Sequence, residues 1–158
     1  MILRSLKYTV DQFSGGGSTA FNIRETGQFV VNLVDEPLAE RMNTCAVDFP
    51  PEMDEIAITG LTPVPSIDVA PPRIAEAPAS LECERTVTLE LNKGRHLVVG
   101  EVLRMHVRDD AIDAERMRID LDRLGVIGRA TGASYVRTAD RFDLRRMTFD
   151  EWKAKQAD

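Results

Sequence analysis

The 158-residue sequence has few cysteines, no long apolar run and no recognisable export signal. Cys45 and Cys83 are the only cysteines, and neither has a nearby second cysteine, so the sequence predicts neither a disulfide framework nor a metal site. No apolar run approaches the roughly 20 residues that a membrane helix needs. The first seven residues are too short and too interrupted by charge for a secretory signal. These features favour a reducing, cytoplasmic location and no membrane partner.

Excess positive charge is also absent. Acidic residues outnumber basic ones by 26 to 20, which gives a formal net charge of −6. Nucleic-acid binding needs a clustered basic face, so we expect no nucleic-acid partner. The length suits a single domain over residues 1–158. Thr148 and Glu151 have the spacing of a capping box, which predicts a C-terminal helix within residues 147–158.

The clearest pattern is a β-hairpin in the middle of the chain. Residues 81–91 alternate between apolar and polar with a period of two, and Arg85 is the one charged residue on the apolar side. A three-residue loop containing glycine leads to a return strand over 95–108. With that loop length Arg85 falls opposite Glu101, so we predict a cross-strand ion pair on an otherwise apolar face. Cys83 is expected to be a small buried residue of the same face.

Other segments predict short strands and short helices. We expect a strand over 1–6, a glycine-rich loop over 11–17 and a helix over 20–26 that Gly27 ends. A central strand over 28–34 follows, and Asp35 opens the next helix. An extended proline-rich segment over 61–78 should pack along the body, and a further strand is expected around Tyr135. The total is six or seven strands with three or four short helices. That composition indicates an antiparallel barrel with peripheral helices rather than alternating βαβ units.

One local feature suits anion binding. Ser18 and Thr19 precede a predicted helix, whose exposed amides together with two hydroxyls make a site of phosphate size. Asn22 and Arg24 lie within one or two turns and could add donors. The alternative is that these residues only cap the helix. No HExxH, GxSxG, P-loop or GxGxxG motif is present.

Four further residues have both a functional and a structural interpretation. His96 opens the return strand, either at a site or in solvent. Arg129 lies between two glycines, where it could hold an anion or remain a surface arginine. Tyr135 could stack on a flat ligand or belong to the core. His106 lies among charged residues, and we expect it to be part of a solvated edge.

Several motifs occur in a characteristic order. Residues 19–33 read TAFNIRETGQFVVNL, and the later motifs are GLT at 60–62, PPRIAEAP at 71–78, His96 with VGEV at 99–102, and IGR at 127–129 followed by Tyr135. In this order they resemble the flavin reductase-like, FMN-binding split-barrel family, which includes flavoredoxin. The resemblance runs from about residue 18 to 145.

The resemblance implies a mainly β protein, an antiparallel split β-barrel that forms a homodimer and binds FMN without covalent attachment. Typical members are oxidoreductases that take hydride from NADH or NADPH to reduce flavin. By this resemblance Thr19 and Asn22, with Ser18 beside them, would hold the FMN phosphate. His96 would lie near the flavin or the nicotinamide path, as the catalytic candidate. Arg129 and Tyr135 would support the cofactor or face the substrate.

The sequence also departs from the family pattern. Members usually have further N-terminal strands, and glycines 15–17 replace the lysine and aspartate that commonly precede the threonine. We therefore expect a member that lacks the start of its barrel. Either a partner subunit completes the sheet, or the fold is open and flavin binding is weakened. The alternative function is a non-catalytic split-barrel dimer that has lost flavin and serves as a ligand-binding or interaction module.

Overall fold

A four-stranded antiparallel sheet dominates the computed structural model, which describes residues 8–14, 18–47, 49–50, 53–91 and 95–156. The strand order is β1-β6-β5-β2. Its strands are β1 (Tyr8–Ser14), β2 (Gln28–Asn32), β5 (Ala79–Leu91) and β6 (Arg95–Val107). The described sheets do not close into a barrel. The chain is therefore mainly β, as expected, but the described part is open.

Within the described residues, three two-stranded sheets and five short α-helices accompany the main sheet. The small sheets pair β3 (Pro63–Val64) with β4 (Arg73–Ile74), β7 (Ile112–Asp113) with β8 (Arg118–Ile119), and β9 (Ile127–Arg129) with β10 (Tyr135–Arg137). The helices are α1 (Ser18–Thr26), α2 (Ala39–Thr44), α3 (Glu55–Thr59), α4 (Leu121–Leu124) and α5 (Phe149–Lys155). None of the helices in the described ranges is long and apolar enough to cross a membrane.

Local sequence signals placed several helix ends correctly. Gly27 follows α1 with a φ of 71°, a conformation that glycine adopts without steric cost. The Asp35 carboxylate accepts the Leu38 N–H and caps the single 3-10 turn that precedes α2. At α5, the Thr148 hydroxyl and the Glu151 carboxylate form the predicted capping box.

One face of the main sheet carries the hydrophobic core. Ile23 of α1 packs there with side chains from β2, β5 and β6, namely Phe29, Leu81, Cys83 and Val98. The aromatic ring of Phe29 lies against Gly100, where an added Cβ would come within 2.5 Å of the ring. Gly100 is therefore required by packing. Cys83 is fully buried in this core, as expected.

The proline-rich segment covers part of the opposite face of the sheet, which we call the outer face. The prediction that this segment packs along the body is therefore confirmed. Gln28 and Asn32 of β2 accept the backbone N–H groups of Ala70 and Ile74 through their side-chain oxygens. β2 is apolar on both faces because it is covered on both. In the described sheet it is nevertheless an edge strand, so the prediction that it is central was wrong. The apolar pattern indicates burial on both faces, not the number of neighbouring strands.

The predicted hairpin is real, but its register changes partway along. Val87 lies opposite Val99 as the loop length requires, and then Thr86 is an unpaired extra residue. Arg85 consequently lies opposite Gly100, and Glu84 lies opposite Glu101. The predicted Arg85–Glu101 pair was wrong because alternation of residue type gives no sign of a single-residue bulge.

Two other expectations concern the N-terminal part. The strand expected at 1–6 lies outside the described residues, as do glycines 15–17. Residues 11–14 were expected in a loop, but they belong to β1, which pairs along its whole length with β6. The pairing partner is distant in sequence, so a local pattern does not reveal it.

Candidate functional site

Helix α1 is fixed to the core and presents polar side chains to solvent. Ile23 is 3% exposed and holds the helix against the sheet. Thr19 and Asn22 are exposed, and neither side chain has a hydrogen-bond partner among the described residues. The first turn has no acidic residue. The helix start thus keeps unengaged donors, which suit an anion. The expected role of the Ser18 side chain lies outside what the structure describes.

His96 lies near the hairpin end of β6. It is half-buried, and its backbone is opposite Phe13 of β1 and Glu90 of β5. His96 precedes Val98 by two residues, so both belong to the core face of the sheet, the face that α1 covers. The structure therefore places His96 and α1 on the same side of the molecule.

Arg129 and Tyr135 share a cavity of about 570 Å³ between the β9–β10 hairpin and α2. The two residues are cross-strand partners. Nη2 of Arg129 donates a hydrogen bond to the Gly132 carbonyl oxygen at 3.1 Å. The Tyr135 residue is 39% exposed. Met42 of α2 lies on the opposite wall. This arrangement offers a cation and an aromatic face to one ligand.

An ion pair joins the two walls of that cavity. Arg137 of β10 binds Glu36, which lies just before α2, with Nε 2.7 Å from Oε2. The hydrogen bond from Arg137 lowers the pKa of Glu36 below its ordinary value. The hairpin is thereby held beside α2 at neutral pH. Thr19, Asn22 and His96 do not line this cavity, so the structure brings together two groups of candidates rather than one.

Sequence reasoning missed a buried charge on the outer face. Glu82 is 0% exposed and accepts the backbone N–H groups of Ile67 and Asp68 together with His106 Nε2. The expectation that His106 belongs to a solvated edge was therefore wrong. Alternation placed Glu82 on the face opposite Val87 and Leu89, whereas the bulge at Thr86 brings them to the same face. Its cover comes from a proline-rich segment that is close to β5 only in three dimensions.

The comparisons with known proteins agree with the resemblance. The flavin reductase like domain model matches residues 14–121. The 2-nitrobenzoate 2-nitroreductase of Pseudomonas fluorescens is similar in structure, with a TM-score of 0.82 and 38% identity over 90% of this chain and 70% of that chain. Nitrilotriacetate monooxygenase component B from Bacillus cereus has a TM-score of 0.77 and 29% identity, over 87% and 70% of the two chains.

A comparison by sequence finds a relative that matches most of this chain. An uncharacterized protein of Deinococcus radiodurans is 40% identical over 137 residues, which are 85% of this chain and 60% of that protein. The chain thus spans less than two thirds of the length of this relative. The matched domain model covers more than half of the chain, and it includes α1, strands β2, β5 and β6 of the main sheet, and Glu82 with its hydrogen-bond partners. The chain therefore belongs to the flavin reductase like domain family.

Proposed function

We propose that this chain is a flavin reductase-type oxidoreductase that binds FMN and passes hydride from NADH or NADPH to the flavin. The observation that carries the proposal is the start of α1. There the family motif coincides with a core-anchored helix whose exposed Thr19 and Asn22 side chains have no hydrogen-bond partners among the described residues. Family membership supplies the flavin chemistry, and the unengaged donors fit a phosphate.

The residues present fit FMN at its phosphate end. The Thr19 hydroxyl and the Asn22 amide can donate to phosphate oxygens, and the amides of the first turn of α1 add to them. Bound FMN would supply the hydride acceptor at its N5 atom. The chain's own task is to hold the nucleotide by its phosphate and to place the ring beside the sheet.

We assign His96 to the reacting end of the site. It lies on the sheet face that α1 covers, and its ring makes no hydrogen bond among the described residues. A half-buried imidazole can donate to or accept from a ligand placed beside it. Arg129 and Tyr135, in their separate cavity, would act on the substrate side or support the cofactor.

The same proposal includes the architecture. Residues 1–158 form one cytoplasmic domain of split-barrel type, whose open sheet is completed by a second copy. The support is an apolar strip on the outer face of β5, where Val87, Leu89 and Leu91 are 42%, 48% and 42% exposed. A strip of this kind on an open sheet suits a protein interface.

A titration of the full chain with FMN, followed by flavin fluorescence, tests the site. Thr19→Val keeps the side-chain shape and removes the hydroxyl, so we expect FMN affinity to fall about tenfold, the effect of losing a hydrogen bond to a charged group. Thr86→Val, at an exposed threonine of β5 whose side chain makes no hydrogen bond among the described residues, is the matched control and should leave affinity unchanged. Equal FMN affinities for the wild type and Thr19→Val would contradict the assignment of Thr19 to the phosphate site.

Turnover requires its own test. FMN-dependent oxidation of NADH and NADPH should be measurable with the wild-type chain. His96→Asn should slow this oxidation more than it weakens FMN binding. A chain that binds FMN but consumes neither nucleotide would contradict the hydride-transfer part of the proposal.

The apolar strip also supports a second candidate, a non-catalytic dimer that has lost flavin. This candidate predicts a folded dimer whose melting temperature does not respond to FMN, because only a ligand of the folded state raises it. A melting temperature that rises with FMN concentration favours the oxidoreductase.

A further inference from the structure

A separate cavity of about 370 Å³ lies on the outer face of the sheet, remote in sequence from α1. Its walls are the 73–78 segment and the end of β6. The volume falls within the range of small-molecule sites. Thr19, Asn22, His96, Arg129 and Tyr135 do not line it, so it is distinct from the proposed flavin site.

His106 forms part of the wall and is held in one orientation. Its Nε2 lies 2.5 Å from Oε1 of Glu82. Burial alone would raise the pKa of Glu82, but the N–H groups of Asp68 and Ile67 and the imidazole outweigh it, and the pKa lies below its ordinary value. Glu82 is therefore ionised and can only accept, so Nε2 of His106 carries the hydrogen.

The other ring nitrogen of His106 is unengaged. Nδ1 makes no hydrogen bond within the described residues. In the neutral ring Nδ1 is an acceptor, and in the protonated ring it becomes a second donor. Glu82 fixes the orientation of the His106 ring through Nε2, which leaves Nδ1 available to a ligand in the cavity.

Arg73 has unused donors on the same cavity wall. Its Nη2 donates to the Pro65 carbonyl, and its Nε is buried without a hydrogen-bond partner in the described structure. The nearest carboxylate oxygen, on Glu82, is 3.8 Å from Nε, beyond hydrogen-bond length. A buried donor left unpaired is unfavourable and requires an explanation. A ligand cannot reach this enclosed atom, but Nη1 of Arg73 also makes no hydrogen bond among the described residues and can donate to a ligand oxygen in the cavity.

Most other charges around His106 are already paired. Arg104 binds Asp68, Arg108 binds Asp110 and lies near Asp35, and Glu76 binds Thr62 and Arg41. Asp109 is exposed at the cavity and is the remaining carboxylate among the lining residues. The rest of the lining is largely apolar, including Ile74, Met105 and Ile112.

We propose that this cavity binds a small organic carboxylate, whose oxygens accept hydrogen bonds from Arg73 and from Nδ1–H of protonated His106. The apolar wall takes the body of the ligand, and the two cations supply charge-assisted hydrogen bonds. This site does not depend on flavin, so it stands or falls separately from the proposed function.

Benzoate is the probe, with neutral benzamide as its matched control, and nuclear magnetic resonance of the imidazole groups is the readout. The sequence has only two histidines, so His96 is an internal reference in every spectrum. We expect benzoate to shift the His106 signals saturably and to leave His96 in place. Benzamide should shift neither.

The pH dependence sharpens the test. Affinity for benzoate should rise as the pH falls, because only a protonated imidazole has a hydrogen to donate at Nδ1. Arg73→Gln should weaken binding about tenfold, and Arg116→Gln in an exposed turn should not. The proposal is overturned if benzoate leaves His106 unmoved, if benzamide acts equally, or if both histidines shift together. The wild-type comparison decides this even if Arg73→Gln does not fold.

Discussion

The two ends of the outer sheet face differ in what covers them. At one end the chain's own proline-rich segment covers Glu82, and every oxygen of that buried carboxylate is hydrogen-bonded. At the other end Val87, Leu89 and Leu91 face outward and stay about half exposed. A buried charge is thus stabilised within the chain, whereas an apolar strip remains uncovered. The first end serves folding, and the second is suited to association.

The largest expected effect comes from the covered end. Glu82→Ala leaves the His106 ring and the N–H groups of Ile67 and Asp68 without their acceptor. Breaking such a buried polar cluster should lower the free energy of unfolding by about 3–5 kcal/mol. Chemical denaturation measures it. Glu84→Gln, two residues along the same strand and exposed, should change the unfolding free energy by less than about 0.5 kcal/mol. Equal losses in both variants would show that the covered end has no special role.

The second-largest loss of folding stability is expected on the core face of the sheet, at Gly100. Gly100→Ala places a Cβ 2.5 Å from the Phe29 ring and 3.0 Å from the Glu84 carbonyl oxygen. Overpacking of this kind should lower the free energy of unfolding by about 1–3 kcal/mol. Gly128→Ala meets only a Val136 methyl at 3.4 Å and should be milder. Restoration of stability by adding Phe29→Leu would identify the ring as the cause, and no restoration would contradict it.

Acid should weaken the covered end in particular. The pKa of Glu82 lies below its ordinary value of 4.5, so the folded state favours the ionised form. The ionised Glu82 therefore stabilises the folded state fully above pH 4.5, and this stabilisation is lost as the pH falls through the lower pKa of the folded state. Urea midpoints measured across this range should fall less steeply for Glu82→Gln than for wild type. Parallel pH profiles would contradict the assignment.

The smallest effect on stability is expected at the uncovered end. Leu89→Lys places a charge on the exposed strip, so the unfolding free energy of a single chain should change by less than about 0.5 kcal/mol. The molar mass in solution should fall toward that of a monomer, measured by light scattering. Glu90→Gln, the neighbouring residue on the other face, is the control and should leave the mass unchanged. A mass that Leu89→Lys does not alter would exclude this strip as the interface.

The sequence was most informative where structure depends on neighbouring residues. The end of α1 at Gly27, the Asp35 cap and the Thr148–Glu151 capping box depend on a few consecutive residues, and each was predicted. The hairpin register held from Leu91 as far as Val87, where turn length determines it. It failed from Arg85 to Cys83, because the bulge at Thr86 depends on packing between strands, and a second irregularity at Leu103 restores the predicted register from Glu82 onward.

The candidate site divides in the same way. The order of motifs identified the family, which geometry alone would not have named. The network around Glu82 was missed because its partners, Ile67, Asp68 and His106, come from separate parts of the chain. Long-range cover of this kind leaves no periodic signal in a single sequence.

The central claim is that the start of α1 binds the phosphate of FMN. Titration of the purified full chain with FMN, followed by the visible absorption spectrum of the flavin, tests it most directly. We predict a saturable spectral change that reaches about one FMN per chain, as expected for a single phosphate site at one helix start. A chain that is folded by circular dichroism and leaves the spectrum of free FMN unchanged at every concentration would contradict the account.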